Sequence, residues 1–506
     1  MHPSDVGGGV KRRASEFGPI VAASTAVVGA GLVVAEIVNA GSLATMSCVL
    51  LVAACVLVAL PHLRSGRRDF FHPVVLVSVQ IAVYYGIRGL ALLASTRRNA
   101  LEINHLVRQF QGEFLVPSIA VAGVALAAFV IGFSLPVSRG LRWLMPTIEG
   151  MPPAEDAVWR RRGFAMLGLG VVGSSASAYR LVTGRGLILG LDTVIDNLQI
   201  FGWAGMALIL MHVARASRPR SFGVVFYACL VAVGFAVIGF RAQGVWVAVA
   251  FMTAFHYGVR PLRVRATVVV LIFTLFVAFP FVAALRIEDQ TASQSGRIEN
   301  MLSVPDRLAT GSQVFAASER APGFGGYLGE TARNVIYRLY GTDTLITIVA
   351  QTPDPRPYIW RERVLTLAQT FVPRVFWTNK PMPNISDYFK QAYWGARPDN
   401  QSNQKPGLIG DWYIQGGVIA VMLGMLCFGV TCRAGRQWFD SHRDNPLALA
   451  FYVVMVNTIA TMESDTILLA TRVVIALALF RVAGSWIPRV AAGLPSRRHE
   501  VRRETL

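Results

Sequence analysis

Apolar residues in this chain come in long runs that are almost free of charge, near the ~20 residues a helix needs to cross the hydrocarbon core of a bilayer. They predict spans at 17–39, 43–62, 72–95, 114–135, 163–182, 199–214, 222–239, 243–258, 266–285, 411–431, 447–465 and 467–485. Short polar turns join most neighbours, as in a helical bundle. One segment breaks the pattern. Residues 286–410 hold ten of the 25 prolines, three of the four lysines and nearly balanced charge. Inside it, Tyr327–Ile348 and Tyr358–Phe371 carry apolar residues at helical spacing, and Pro-Asp-Pro-Arg-Pro (353–357) and Pro-Met-Pro (381–383) interrupt them. The expected fold class is an all-α polytopic membrane protein of about twelve transmembrane helices. Its organisation is an N-terminal bundle (1–285), a large helical loop (286–410), and C-terminal helices with a basic tail (411–506).

Composition agrees with this pattern. The chain is 54% hydrophobic and 15% charged, with a mean hydropathy of +0.48; a soluble domain carries about 25% charged residues. The net charge of +19 is scattered through short loops, which argues against a nucleic-acid partner and for cytoplasmic retention of Arg. Threading the spans with both termini inside puts 25 Lys/Arg on the cytoplasmic side and five in the short outer loops: Arg97, Arg98, Arg108, Arg185 and Arg241. The loop 286–410 then lies outside; loops of that length are usually functional. Its 14 basic residues do not oppose this placement, because long loops translocate regardless of charge. The five cysteines show no metal-ligand spacing, so neither a structural zinc nor a disulfide is expected. The inner face has no segment long enough for a nucleotide-binding fold. Chemistry is therefore expected at the outer face or within the bundle, on a substrate activated before it arrives.

Candidate residues follow from charge in apolar surroundings, which is costly and commonly faces a cavity. Arg88 in the third span and Arg472 in the twelfth are the deepest; each reads equally as a site or as a structural pairing. Arg241, in Gly-Phe-Arg-Ala-Gln-Gly (239–244), and Arg286, after the ninth span, occupy the outer face. Each suits either a diphosphate, through the paired hydrogen bonds of a guanidinium fork, or lipid phosphate. Val-Pro-Arg374-Val-Phe-Trp377-Thr-Asn-Lys380-Pro sets two cations around two aromatics, a pattern for phosphate and sugar or for a membrane-interface belt. Arg338 lies on the first loop helix and joins the substrate-contact candidates. Asp411, in Gly-Leu-Ile-Gly-Asp-Trp-Tyr-Ile-Gln-Gly-Gly (407–417), opens the tenth span, where either the helix dipole or a catalytic role accounts for it. His105 is the histidine placed in an outer segment; a solvated loop histidine is the plain alternative.

Four of these features together resemble the Wzy-type O-antigen polymerases (oligosaccharide repeat unit polymerases). They are the Gly-flanked hairpin arginine, the large late outer loop, Pro-Arg-x-x-Trp-x-x-Lys-Pro (373–381), and Ile-Gly-Asp-Trp-Tyr-Ile-Gln-Gly-Gly (409–417) entering a Gly-rich span. The motifs occupy mainly 239–244 and 373–424. The resemblance implies a glycosyltransferase in a bacterial inner membrane, acting at the periplasmic face without metal or nucleotide cofactor. It would join undecaprenyl-diphosphate-linked oligosaccharide repeat units into O-antigen, capsule or exopolysaccharide, with membrane lipid, a chain-length regulator and a repeat-unit flippase as partners. Asp411 would orient or deprotonate the acceptor hydroxyl, with His105 second. Arg374 and Lys380, with Arg241 and Arg286, would hold the diphosphate, and Arg88, Arg338 and Trp377 would contact substrate. Rival expectations are an O-antigen ligase, another lipid-linked glycan transferase, or a polysaccharide or lipid transporter. Ligases use an outer-loop histidine, which 286–410 lacks; a transporter predicts broken helices in matching positions.

Overall fold

The computed structural model describes residues 40–64, 69–95, 105–136, 145, 156–183, 198–215, 241–259, 261–262, 339–370, 372, 377, 385–396, 405–462 and 465–493. The predicted spans 17–39, 222–239 and 266–285 lie outside them. The described residues are helical, without strands. In chain order the helices are α1 (Ala40–Arg64), α2 (Pro73–Ile81), α3 (Arg88–Ser95), α4 (His105–Ser134), α5 (Asp156–Thr183), α6 (Gln199–Arg215) and α7 (Arg241–Gly258). They continue with α8 (Gly341–Gln351), α9 (Trp360–Thr370), α10 (Ile385–Trp394), α11 (Gly407–Ser441), α12 (Pro446–Ala460) and α13 (Thr466–Gly493). Four stretches among them are long and apolar enough to cross a bilayer: Leu43–Arg64, Pro73–Ala94, His105–Ser134 and Gly407–Ser441.

Local chemistry sets where several helices begin. His72 caps α2, its Nδ1 accepting from Val74 N at 3.3 Å, and Pro73 follows at the first helical position, where its missing N–H costs nothing. Asn445 and Pro446 repeat that device at α12, with Leu447 N donating to Asn445 Oδ1 at 2.9 Å. Asp465 caps α13 by accepting from Leu468 N at 2.9 Å. Between α2 and α3 the chain stays helical but widens into a π-segment, Ala82–Ile87, a form found mostly where helices serve a function.

Two apolar cores result. One gathers α1, α2, α4, α8, α10 and the first half of α11; the other gathers α6, α7, α12 and the last turns of α11. The two cores meet along α11, which packs most extensively on α4. There Gly132 lies against Leu426, and Gly429 against Phe129 and Phe133, with no room for a Cβ. Small residues at a helix crossing let backbones approach, as is common within membranes.

Two departures from straight spanning helices shape the region above this crossing. The first is α8. It comes from the segment 286–410, yet Thr342, Leu345, Ile346, Thr347 and Ile348 are completely buried. Its start sits beside Tyr84, the midpoint of the Pro73–Ala94 span: Gly341 faces Tyr84, and Thr342 Oγ1 reaches the carbonyls of Tyr84 (3.0 Å) and Tyr85 (2.9 Å). At 1.5 Å per residue, Tyr84 is about 16 Å from the Pro73 end. The second departure is a break in α11 at Gly416 (φ −172°, ψ 33°) and Gly417 (φ 64°, ψ −152°). Gly417 adopts a conformation that is essentially glycine-only. Beyond it the chain turns back so that Trp412 lies against Gly424.

Candidate functional site

Charge converges where α9, the first turns of α11 and the start of α13 meet. Each helix supplies one carboxylate or one cation there. Asp411, one turn into α11, is completely buried. Its Oδ2 accepts from Arg363 Nη2 of α9 at 2.6 Å and from Thr466 N, the first residue of α13, at 2.8 Å. The carboxylate thus satisfies one of the unpaired N–H groups that every helix start presents. Asp465 stands alongside, 3.9 Å from Arg363 Nη2 and 3.4 Å from Lys405 Nζ. Arg472, two turns into α13, donates to Thr461 Oγ1 at 2.8 Å. Backbone bonds lock the frame: Ile359 N to Ile414 O (3.1 Å) and Leu408 N to Met462 O (3.0 Å).

This cluster is incompletely satisfied. Asp411 Oδ1 and Arg363 Nε are buried and have no hydrogen-bond partner. Leaving buried polar atoms unpaired costs about 1–3 kcal/mol each, so each calls for an ordered water, a ligand or a chemical role. Asp411 Oδ1 can accept a proton or a hydrogen bond from an incoming hydroxyl. Lys405, with its side chain 24% exposed, is the cation of the cluster most open to an anionic group.

A second buried pair lies one helix away. Arg88, the first residue after the π-segment, makes a bidentate fork onto Asp343 of α8, Nε to Oδ2 at 2.7 Å and Nη2 to Oδ1 at 2.9 Å. Ile348 of α8 packs on Gly410 beside Asp411, so the two pairs share one wall. Above them, the Pro-rich turn is braced. Tyr393 Oη and Thr352 Oγ1 are 2.6 Å apart, Gln351 Nε2 donates to Tyr393 O (3.1 Å), and Arg356 lies 5.3 Å over the Tyr393 ring. Burial pushes the Tyr393 hydroxyl up to about 12, against the opposing effect of the Thr352 bond, so it stays neutral and fixed.

Of the residues expected to carry function, Asp411 lies in the cluster and Arg88 in the adjacent pair. Trp377 is part-exposed, and His105 opens α4 with its side chain exposed. Arg241 begins α7, its side chain outside the described residues, as are Arg286, Arg338, Arg374 and Lys380 entirely. Four contributors were not anticipated: Arg363, Asp343, Asp465 and Lys405. Asp343 had a signal, a lone acid in the otherwise uncharged helix Gly-Thr-Asp-Thr-Leu-Ile-Thr-Ile-Val-Ala-Gln. Arg363 had none, being one of three consecutive charged residues (Arg361-Glu362-Arg363) on a loop helix.

The described residues define a helical protein with four stretches long and apolar enough to cross a membrane, and a buried charged cluster beside them. A family model described as a domain of unknown function (DUF8712) matches residues 187–438, just under half of the chain, and the chain is similar to that family over this stretch. The match takes in Arg363, Asp411 and Asp343 and leaves their partners Thr466 and Arg88 outside. No curated protein and no solved structure matches the chain.

Proposed function

We propose that the protein is a membrane glycosyltransferase of the Wzy polymerase type, joining undecaprenyl-diphosphate-linked oligosaccharide repeat units at the periplasmic face of a bacterial inner membrane. The observation that carries this reading is the buried Asp411 carboxylate, held by Arg363 and the start of α13, with Oδ1 unengaged. In this reading twelve spans place both termini in the cytoplasm, and the segment 286–410 forms the periplasmic loop that roofs the cluster.

The reaction joins two lipid-linked chains. An acceptor hydroxyl oxygen attacks the anomeric carbon of the donor glycan; the new glycosidic bond forms as the carbon–oxygen bond to the diphosphate breaks. The hydroxyl proton passes to Asp411, and the electron pair leaves with undecaprenyl diphosphate. A positioned base of this kind contributes typically ~10²–10⁴-fold. Arg241, Arg286, Arg374 and Lys380 are assigned to the leaving diphosphate, as fixed cations stabilise charge where it develops, and Lys405 joins them. Arg88 holds α8, and through it the wall beside Asp411. Arg338 and Trp377 are assigned to the glycan, and His105 is the alternative base. Chain-length regulator and flippase remain the proposed partners.

A transporter is the second reading, and one observation favours it: the break in α11 at Gly416–Gly417, with the buried helix α8 packed on the turn before it, has the form of the discontinuous helices that transporters place at their sites. Deletion of the gene separates the two. A polymerase leaves single lipid-linked repeats at the outer face and a surface glycan one repeat long. A flippase leaves them trapped at the inner face. Asp411→Asn should reproduce the single-repeat phenotype with donor binding retained; full-length polymer from that variant would reduce Asp411 to a helix-end residue.

A further inference from the structure

Helix α9 is turned inside out for a helix in water. The side that meets the protein carries Arg363, buried against Asp411, whereas Trp360, Val364 and Leu365 are 54%, 57% and 60% exposed. On a helical wheel Trp360, Val364 and Ala368 share one stripe, followed on one side by Arg361 and then Leu365, with Arg363 flanking it on the other side, about 60° from Trp360. Arg361 and Glu362 are exposed as well, but three large apolar residues displayed beside a buried arginine are not what water selects.

The neighbourhood says what covers that stripe. Ile359, one residue before α9, is hydrogen-bonded to Ile414, and Tyr358 lies against Gly417 at the break in α11. Immediately past the break α11 exposes Val418, Ile419, Met422 and Leu423. That helix is among those apolar and long enough to cross a bilayer, where such a face would meet acyl chains. The start of α9 adjoins it through Tyr358 and Ile359. Arg361 lies 5.3 Å over the Trp360 ring, the posture of a cation whose stem runs along apolar surface while its head reaches for water or phosphate.

We propose that α9 is a lipid-immersed helix, with Trp360, Val364 and Leu365 against the acyl chains of the leaflet nearest the Arg363–Asp411 pair. The cluster is then separated from lipid by a single helix, and a lipid-linked ligand reaches it sideways from the bilayer, past α9. This holds for a transferase and for a transporter alike, and so stands apart from the function proposed above.

The test places a nitroxide at Val364→Cys, Leu365→Cys and Glu362→Cys, one at a time, in the full-length chain with its five cysteines replaced by alanine. The protein is reconstituted in nanodiscs of phosphatidylcholine and phosphatidylglycerol. Oxygen concentrates among acyl chains and a nickel chelate stays in water, so the ratio of their collision rates reports immersion. That ratio should be several-fold higher at 364 and 365 than at 362. Equal ratios would put the stripe in water, and protection from both reagents would put a protein surface, such as a second copy of this chain, over it; either overturns the proposal. Unlabelled protein gives an independent check. Lipids brominated near the headgroup end of the chain should quench a component of the tryptophan fluorescence that Trp360→Phe removes, and an unchanged quenched fraction in that variant would contradict immersion.

Discussion

The chain buries charge at two ends of α11, and the two ends are built differently. Near its C-terminal end, Arg436 donates Nε to Asp440 (2.9 Å) and Nη1 to Tyr257 (2.8 Å) and Tyr452 (2.7 Å), and its Nη2 pairs with Asp69 (2.8 Å). Tyr257 in turn donates to Asp69, and Tyr452 to Phe71 O at 3.0 Å. All three guanidinium nitrogens have a partner: Tyr257 on α7, Tyr452 on α12, Asp69 before α2, and Asp440 on α11 itself. Near the N-terminal end, Arg363 and Asp411 each keep a buried atom with no partner. The same two residue types are used, but Arg436 is fully paired and Arg363 is not. A closed buried network fixes helices against one another, because its low-dielectric surroundings penalise any opening. An open one has spare hydrogen-bonding capacity for something that arrives. The contrast between the ends of α11 therefore separates architecture from chemistry better than burial does, since both are buried.

If that contrast is right, substitutions at the closed end should unfold the protein and those at the open end should spare the fold. Arg436→Ala should have the largest effect, leaving Asp69 without its cation while Asp440 keeps Arg443; breaking a buried pair costs about 3–5 kcal/mol. Thermal unfolding in detergent would measure it, and a midpoint matching the parent would erase the distinction. Arg88→Lys should come next. A lysine cannot reproduce the two-pronged contact on Asp343, and a loss of about 1.5–3 kcal/mol is expected for a hydrogen bond to a charged group. Exchanging the partners (Arg88→Asp with Asp343→Arg) should recover part of it, and no recovery would mean that α8 is held by apolar packing instead.

Gly417→Ala sharpens the comparison by striking the backbone beside the open cluster. Its Cβ would stand 2.7 Å from Tyr358 Oη at a φ of 64°, and a side chain in that region costs about 1–3 kcal/mol. Gly416→Ala should be milder, with Ala420 Cβ at 3.2 Å; the two midpoints measured side by side would check the order. Asp411→Asn keeps an oxygen for Thr466 N and leaves Asp465 3.9 Å from Arg363 as counter-charge, so its loss should stay below that of Arg436→Ala, at about 1.5–3 kcal/mol. A midpoint shift as large as that of Arg436→Ala would place Asp411 with the architecture.

Much of the fold was legible because membrane helices advertise themselves. The runs at 43–62, 72–95 and 114–135 overlie α1, α2–α3 and α4, with α4 starting earlier, at His105. The run at 411–431 overlies part of α11, but the break at Gly416–Gly417 was not read from it; two adjacent glycines permit a bend without requiring one. In the loop, the prolines at 353–357 correctly separated α8 from α9. Helical spacing at 358–371 left the sidedness of α9 open: the surroundings bury Arg363 and leave Trp360, Val364 and Leu365 exposed.

Composition and periodicity settled that the chain is helical, that several of its helices suit a bilayer, and that Arg88 and Asp411 are charges in apolar surroundings, because each of these depends on residues close together in sequence. The partners of those charges were decided only by tertiary structure. Arg88 meets Asp343 across 255 positions, and Asp411 meets Arg363 across 48 and Thr466 across 55. Pairing at such range is selected by how helices pack and by the cost of leaving a buried ion alone, and no local pattern in the chain records it.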